Sequence, residues 1–275
     1  MDRTVIPNGD QPEHPAARPC FRRFCQRPEI RLVYVTGRHR ELVQQAIQSY
    51  ELPVPDFVIS DVGTRIYQVT AGKWQESALW QETIAADWHG RSHEQLRQAL
   101  SPRTELVLQE ASKQSDYKLS YYLPLDADKD RLLAWVGDCL EQMGVEASLI
   151  WSIDEPENIG LLDVLPRNAT KLHGIEFLQQ QLGYRPDQVI FAGDSGNDLP
   201  VLVSRIRSVL VANAGAELKR QAQQLARENG RSDTLYLAED NNFPLGGNYA
   251  AGVLQGVWHF VPDLRPQLRQ IEPKP

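Results

Sequence analysis

The stretch from Val189 to Asp198, V-I-F-A-G-D-S-G-N-D, constrains the fold of this chain more than any other feature. Its first four residues are apolar or small and predict a short buried strand. Two glycines and two carboxylates follow, and apolar residues with helical spacing resume at Leu199. Pro200 is compatible with a helix there because it falls in the first turn. This order places Asp194 and Asp198 at the carboxyl end of a sheet, where open α/β sheets bind ligands.

Three further segments carry polar groups that can converge at the same end of the sheet. They are Asp2-Arg3-Thr4, Thr36-Gly37-Arg38 and Asn168-Ala169-Thr170-Lys171. Taken alone, each has an ordinary explanation, such as a helix cap, a solvated lysine or a terminal surface charge. The acidic loop alone also has an ordinary alternative, a solvated turn whose Asp and Asn side chains satisfy local backbone groups. Together the four segments offer hard oxygen ligands for Mg²⁺, a cation and several hydrogen-bond donors, which is the equipment of phosphoryl transfer.

The order of predicted elements indicates an α/β protein with an inserted module. Strands and helices alternate in residues 1–75 and 166–275, which predicts one core domain with a parallel sheet. Residues 76–165 instead predict helix, strand and strand, repeated, and this pattern favours a small α+β cap domain. Pro262 to Pro275 is rich in proline and is expected to be a tail.

Several local predictions accompany this domain organisation. We expect a loop from Asn8 to Pro19, because the segment is rich in proline and polar residues. A hairpin is expected to turn over Gly63. Trp80 to Leu100 is expected to be mainly helical, with Trp88 among its buried side chains.

Composition excludes several classes of protein and partner. The chain has 275 residues, of which 41% are hydrophobic, enough for one large or two modest domains. Its net charge is −7 and no basic run stands out, so no nucleic-acid partner is indicated. No apolar run approaches the roughly eighteen residues of a membrane span, and the first residues lack an apolar signal-peptide core. Cys20, Cys25 and Cys139 are few and odd in number, which favours a reducing cytoplasm.

The motifs V-T-G-R, N-A-T-K and G-D-S-G-N-D, following D-R-T, resemble the four motifs of the haloacid dehalogenase superfamily of Mg²⁺-dependent phosphatases. The resemblance implies a Rossmann-like core, and the insert between Thr36 and Lys171 is placed like the α/β cap of that superfamily's second class. The segments D-V-G-T-R-I-Y, Y-K-L-S-Y-Y and L-L-D-V-L-P resemble sucrose-phosphate phosphatases and related sugar-phosphate phosphatases. This closer resemblance implies Mg²⁺ as cofactor, a sugar phosphate such as sucrose 6-phosphate as substrate, and association with a sugar-phosphate synthase. It leaves the oligomeric state open.

The resemblance implies a role for each acidic residue of the first and fourth motifs. Asp194 would be a Mg²⁺ ligand, and Asp198 would orient the groups around the ion. Asp2 would add its backbone carbonyl to the metal site. Its side chain would protonate the leaving alkoxide and then, as a base, activate water.

The resemblance also implies contacts with the substrate. Thr36 and Lys171 would bind the phosphoryl oxygens, and Lys171 would neutralise the attacking carboxylate. Lys118 would contact the sugar, with an exposed strand lysine as the ordinary alternative. The other implied substrate-binding residues are Gly37, Arg38, Gln114 and Asn197.

One position of the first motif falls outside the sequence. The family's pattern is D-x-D-x-T, its first Asp is the nucleophile that becomes phosphorylated, and Met1 occupies the x position. We therefore expect the nucleophile, and the first core strand that carries it, just upstream of Met1. The chain as given is then expected to be inactive. The alternative is a homologue without the nucleophile that binds a sugar phosphate or regulates without catalysis.

Overall fold

The computed structural model describes residues 1–154, 157–240 and 243–264, in which helices and strands alternate. The helices are α1 (Ala17–Cys25), α2 (Arg40–Ser49), α3 (Ala78–Ala85), α4 (His93–Leu100), α5 (Lys129–Gln142), α6 (Lys171–Gln181), α7 (Leu199–Leu202), α8 (Ala216–Glu228) and α9 (Tyr249–Phe260). The strands are β1 (Val33–Val35), β2 (Phe57–Ser60), β3 (Arg65–Thr70), β4 (Lys73–Glu76), β5 (Val107–Leu108), β6 (Leu119–Leu123), β7 (Ala147–Asp154), β8 (Ile159–Pro166), β9 (Ile190–Gly193), β10 (Arg207–Leu210) and β11 (Leu235–Leu237). Among these residues, no helix has the length and apolarity needed to cross a membrane.

Contacts between Cα atoms divide the chain into two compact units. The first unit consists of Met1–Thr36, Arg40–Val58 and the chain from Ile175 onwards, and the second of Gly37–His39 and Ile59–Gly174. The core and cap domains drawn from the sequence, which divide near residues 75 and 166, stay predictions. Of the predicted tail, residues 265–275 lie outside the described residues.

The first unit contains a parallel sheet that sets the position of the acidic loop. β10 lies between β9 and β11, and Val209 is opposite both Ala192 and Tyr236. At the end of β9, Gly193 is opposite Leu210 of β10. Because parallel strands end at the same edge of a sheet, the loops after β9 and β10 begin side by side.

Helix α9 packs so closely against this sheet that two of its positions, Gly252 and Gly256, leave no room for a side chain. A Cβ atom on Gly256 would lie 2.0 Å from Cγ2 of Val209, and one on Gly252 would lie 2.2 Å from the carbonyl oxygen of Gly247. Helix α1 in turn packs against α9. The predicted loop through Pro19 is wrong in its last residues, because α1 begins at Ala17.

The residues of α1 carried a helical signal that the prolines before it obscured. Ala17, Cys20, Phe21 and Phe24 are buried and fall at the three- and four-residue spacing of one helix face. The strand before the acidic loop agrees better with its sequence pattern. β9 ends at Gly193, the first residue of the predicted loop G-D-S-G-N-D.

The second unit contains an antiparallel sheet in the order β5-β6-β8-β7. Its core includes Trp88, Leu96 and Leu100, each fully buried, together with apolar side chains of α5 and β6. The predicted burial of Trp88 is therefore confirmed. The side chains of Leu119, Tyr121 and Leu123 alternate with the others of β6 and face this core.

Two local predictions in the second unit are confirmed. The segment from Trp80 to Leu100 is mainly helical, as predicted. It divides into α3 and α4 because His89 takes a left-handed φ of 47° and Gly90 a φ of 78° between them. Ser92 then starts α4 with a reciprocal capping box to Gln95. β2 and β3 are neighbours in one sheet and are joined over Gly63, as the predicted hairpin requires, and β3 and β4 form a second hairpin that turns at residues 71–72. The φ of Gly63 is 112°.

Candidate active site

The loop after β9 is organised by the carboxylate of Asp198. Its Oδ2 accepts hydrogen bonds from the backbone N–H groups of Asp194 (3.1 Å) and Ser195 (3.2 Å) and from the Ser195 hydroxyl (3.1 Å). Gly193 is needed beside it, because a Cβ atom there would lie 2.6 Å from the same Oδ2. Asn197 Oδ1 also accepts a hydrogen bond from Ser195. Asp198 therefore holds the loop that presents Asp194.

Thr4 joins the first acidic segment to this loop. Its Oγ1 donates to Asp194 Oδ1 at 2.7 Å and lies 3.2 Å from the backbone carbonyl oxygen of Asp2. The Asp194 side chain is 7% exposed, and the guanidinium of Arg3 is 3.9 Å from its other oxygen. Burial raises the pKa of Asp194, and the Asp198 carboxylate adds to the rise, whereas the Thr4 hydrogen bond and Arg3 oppose it.

Asn213, in the loop after β10, fixes the same N-terminal segment. Its Nδ2 donates to the carbonyl oxygen of Arg3 at 2.6 Å, and its Oδ1 accepts from the backbone N–H of Tyr249 at 2.8 Å. The carboxylate of Asp2 accepts a hydrogen bond from Asn8 at 2.9 Å. The structure therefore brings Asp2, Asp194 and the loop of Asp198 together in the first unit.

These groups fit a magnesium ion. The Asp194 carboxylate and the Asp2 carbonyl are hard oxygen donors that share one hydroxyl neighbour, and Mg²⁺ is commonly held by one or two carboxylates while it keeps several waters. Within the described residues, no group of three His, Cys, Asp or Glu side chains is placed to hold a metal. The Asp198 carboxylate is used within its own loop, which is compatible with the orienting role that the resemblance implies.

The segment that begins α6 is fixed by two neighbours in the second unit. Both oxygens of Asp87 accept hydrogen bonds from Asn168, one from the backbone N–H at 2.7 Å and one from Nδ2 at 2.9 Å. Gly63 approaches so closely that a Cβ atom would lie 2.6 Å from the carbonyl carbon of Thr170. Lys171, the first residue of α6, is buried.

The second motif divides between the two units. Thr36 is buried and follows β1 in the first unit, and Gly37 and Arg38 belong to the second. In the second unit, the carbonyl oxygen of Arg38 accepts a hydrogen bond from the N–H of Asp61 at 3.0 Å.

Lys118 is a buried ammonium in the second unit. Its Nζ donates to the Lys113 carbonyl (3.0 Å) and the Ser120 hydroxyl (2.8 Å) and lies 3.2 Å from Asp163 Oδ1. Ser120 also donates to Asp163, at 2.5 Å. An ammonium has three donors, so all of them have protein acceptors. A direct contact of Lys118 with a sugar would replace one of these.

The side chain of Gln114 also forms hydrogen bonds within the second unit, three of them with backbone groups. Its Nε2 donates to the carbonyl oxygens of Gln109 (3.0 Å) and Ser120 (2.9 Å), and its Oε1 accepts from the N–H of Ser120 (2.9 Å). His93 lies 3.3 Å from the same oxygen. Gln114 therefore holds the loop between β5 and β6 against β6.

Five residues that these contacts make prominent had no predicted role. They are Thr4, Asp87, Ser120, Asp163 and Asn213. Thr4 belongs to D-R-T and Asp163 to L-L-D-V-L-P, so both lie in motifs that carry the family resemblance. Asp87 lies within the segment predicted to be mainly helical, and no local pattern indicated a role for Asp87 or Asn213.

Comparison with known proteins shows the family to which the chain is similar. A family model described as Sucrose-6F-phosphate phosphohydrolase matches residues 1–261. A putative HAD-like hydrolase from Nitrosococcus oceani is 47% identical over 266 residues, which cover 96% of this chain and 71% of that protein. Sucrose-phosphatase 1 from Nicotiana tabacum is 27% identical over 83% of this chain, and the match spans only half of that longer protein.

A solved structure shares the fold. It is the sucrose-phosphatase from Synechocystis sp. PCC6803 in complex with sucrose and phosphate, with a TM-score of 0.74, 24% identity and coverage of 94% of each chain. At this identity the likeness shows the fold alone. It confirms the predicted class, an α/β haloacid dehalogenase-like core with an inserted cap.

Proposed function

Because the chain belongs to the sucrose-6F-phosphate phosphohydrolase family of the haloacid dehalogenase superfamily, we propose that it is a Mg²⁺-dependent phosphatase of a sugar phosphate. The proposed substrate class is a disaccharide phosphate such as sucrose 6-phosphate. The observation that carries the proposal is the 2.7 Å hydrogen bond from Thr4 to Asp194, because it joins the first motif to the fourth.

The proposed nucleophile is the first Asp of D-x-D-x-T, in the position directly before Met1. Its carboxylate oxygen bonds to phosphorus as the bond to the sugar oxygen breaks, and an aspartyl-phosphate forms. Asp2 gives its proton to the leaving alkoxide. It then takes a proton from water, whose oxygen attacks phosphorus and releases phosphate and the free carboxylate.

The other proposed roles concern charge and position. The Asp194 carboxylate and the Asp2 carbonyl would hold Mg²⁺, with Asp198 fixing their loop. When bound, the ion supplies positive charge to the phosphoryl oxygens. Thr36 and Lys171 are proposed to bind those oxygens, with Gly37, Arg38 and Asn197 beside them. Gln114 and Lys118 are proposed to shape the sugar side of the site through the loop that they hold.

Two further proposals concern the setting of the protein. Cys20, Cys25 and Cys139 form no disulfide bond with one another. Their small, odd number supports a reducing compartment such as the cytoplasm. Association with a sugar-phosphate synthase follows from the family resemblance and stays a proposal.

The test compares residues 1–275 with a version that also contains the residues encoded in frame before Met1. We expect Mg²⁺-dependent release of phosphate from sucrose 6-phosphate by the longer version only. Equal release by both versions would contradict the upstream nucleophile. Sugar-phosphate binding without turnover by the longer version would instead support the alternative, a binding or regulatory protein.

A further inference from the structure

Asp61, Val62 and Gly63, which follow β2, adopt three consecutive left-handed conformations. Their φ angles are 51°, 63° and 112°. A β-branched residue such as Val62 is a genuine outlier in this region, because its side chain crowds the backbone. Such strain persists only where surrounding contacts impose it, and it is concentrated at functional sites.

The contacts that impose it come from several parts of the second unit. The N–H of Asp61 donates to the carbonyl oxygen of Arg38 at 3.0 Å. The indole N–H of Trp80, on α3, donates to the carbonyl oxygen of Gly63 at 3.0 Å. Gly63 also approaches Thr170 at the start of α6. The turn therefore lies between two segments proposed to bind the phosphoryl group.

The carboxylate of Asp61 is buried and only partly satisfied. The residue is 8% exposed, and its Oδ2 accepts a hydrogen bond from the Ser60 hydroxyl at 2.8 Å. In the part of the chain that the structure describes, Oδ1 accepts no hydrogen bond and the side chain forms no ion pair. Oδ1 is also not among the buried polar atoms that are both sealed from solvent and unpartnered. It is therefore open to a ligand.

The groups around this carboxylate partly offset the effect of its burial. Burial raises the pKa of Asp61, whereas the Ser60 hydrogen bond and then the positive charges of Lys118, Arg65 and His39 oppose the rise. A carboxylate repels phosphate but accepts strong hydrogen bonds from neutral hydroxyls. The matching ligand group is therefore a hydroxyl of the sugar and not the phosphoryl group.

We propose that Asp61 is a specificity-determining residue whose Oδ1 accepts a hydrogen bond from a hydroxyl of the sugar leaving group. This inference rests on the proposed function, since it assigns a sugar to the site. A site built to bind a hydroxyl rejects an analogue that lacks it, because the buried acceptor is then left unpaired.

The experiment uses the full-length protein, including any residues encoded before Met1, and the variants Asp61→Asn and Asp61→Ala. The matched control is Glu82→Gln, an exposed carboxylate on α3. The kcat/KM is measured for sucrose 6-phosphate and for p-nitrophenyl phosphate. We expect Asp61→Ala to lose at least about tenfold on the sugar phosphate and to change little on the generic ester. Asp61→Asn keeps an acceptor and should lose less.

Monodeoxy derivatives of sucrose 6-phosphate identify the hydroxyl. The wild-type protein should use one derivative poorly, and Asp61→Ala should no longer distinguish it from the parent sugar phosphate. Equal losses on both substrates, or unchanged use of the sugar phosphate, would overturn the inference and leave the phosphatase proposal intact.

Calorimetric binding of sucrose to each variant separates the two proposals. If the wild-type protein hydrolyses no sugar phosphate, the proposed function fails. Weaker sucrose binding by Asp61→Ala, by about tenfold or more, would still support the role of Asp61. Sucrose binding that is undetectable in the wild type, or equal in all variants, would overturn it.

Discussion

Thr4 Oγ1 donates a hydrogen bond to Asp194 Oδ1 at 2.7 Å across 190 positions of sequence. The bond leaves the second oxygen of Asp194 facing Arg3 at 3.9 Å, a distance too long for a hydrogen bond. Thr4 thus fixes the direction of the Asp194 carboxylate, and Asp198 accepts a hydrogen bond from the backbone N–H of Asp194.

Replacement of Thr4 tests this relationship in the full-length protein. Thr4→Val keeps the shape of the side chain but removes the hydroxyl, and we expect the Mg²⁺ concentration for half-maximal activity to rise by about 10- to 100-fold. Thr4→Ser restores the donor and should stay near wild type. A Thr4→Val enzyme with unchanged Mg²⁺ dependence would show that Asp194 needs no partner.

Substitutions at Asp194 and Asp198 should differ in their effects: the first should reduce activity and the second should reduce stability. Asp194→Asn is expected to abolish turnover with little change in melting temperature, because it removes a charge available to hold a hard cation. Asp198→Ala removes an acceptor for three donors and should lower the free energy of unfolding by about 1–3 kcal/mol. Thermal melts and phosphate release measured on both variants check this. Near-normal Mg²⁺-dependent activity in Asp194→Asn would refute its assignment.

Gly63→Ala should damage the site more than a comparable change elsewhere. Its φ of 112° is unfavourable for alanine, and the new Cβ would lie 2.6 Å from Thr170. We expect a loss of about 2–4 kcal/mol in stability, from backbone strain and overpacking, together with lower kcat as Lys171 shifts. Gly90→Ala is the matched control: its φ is 78° but no atom lies within 4 Å, so only roughly 1–2 kcal/mol should be lost. Equal losses in the two variants would mean that the close approach is unimportant.

Lys118→Ala should destabilise the second unit, because it leaves Asp163 and Ser120 without their buried cation. Breaking such a pair costs about 3–5 kcal/mol, which urea unfolding can measure. Replacing both partners, as in Lys118→Met with Asp163→Leu, should restore part of that loss. We also expect Lys118→Ala to lose more kcat/KM on sucrose 6-phosphate than on p-nitrophenyl phosphate, compared with the wild type. If Lys118→Ala is as stable as wild type, the ammonium acts on the ligand and not on the fold.

Asp61→Asn should be more stable than wild type at neutral pH. The pKa of Asp61 is raised in the folded state, so the folded protein binds this proton more readily than the unfolded chain. The ionised carboxylate therefore opposes folding above that raised pKa, and the opposition disappears as pH falls and the group is protonated. The expected gain is about 0.5–2 kcal/mol near pH 7, shrinking by about pH 4. Melting temperatures of Asp61→Asn, Glu82→Gln and wild type over this range provide the measurement, and a pH-independent difference would contradict it.

Local patterns of the sequence predicted the part of the site that depends on neighbouring residues. The strand predicted over residues 189–192 is found at Ile190–Gly193, and the loop and helix follow in the predicted order. The segment from Trp80 to Leu100, predicted to be mainly helical, is found as α3 and α4. In both places the apolar spacing, the turn residues and the tertiary structure favour the same conformation.

Features that depend on distant residues were not predictable from local patterns. Nothing near Gln114 or Lys118 indicates that their polar atoms are used by the loop and by Asp163, which lies on another strand. The left-handed conformation of Val62 opposes its own preference and is imposed by its surroundings. The family resemblance supplied roles for single residues, but it did not supply these supporting contacts.

The engagement of Gln114 and Lys118 also affects the entropy of ligand binding. Gln109, Gln114 and Lys118 hold the loop between β5 and β6 to its own backbone and to β6 before any ligand arrives. Ordering a flexible loop and its long side chains during binding would reduce affinity, by about 0.5–1.5 kcal/mol for each immobilised side chain. Here that loss of freedom occurs during folding. A sugar that binds beside this loop therefore meets a preorganised surface, and its interactions contribute to affinity with little reduction from loop ordering.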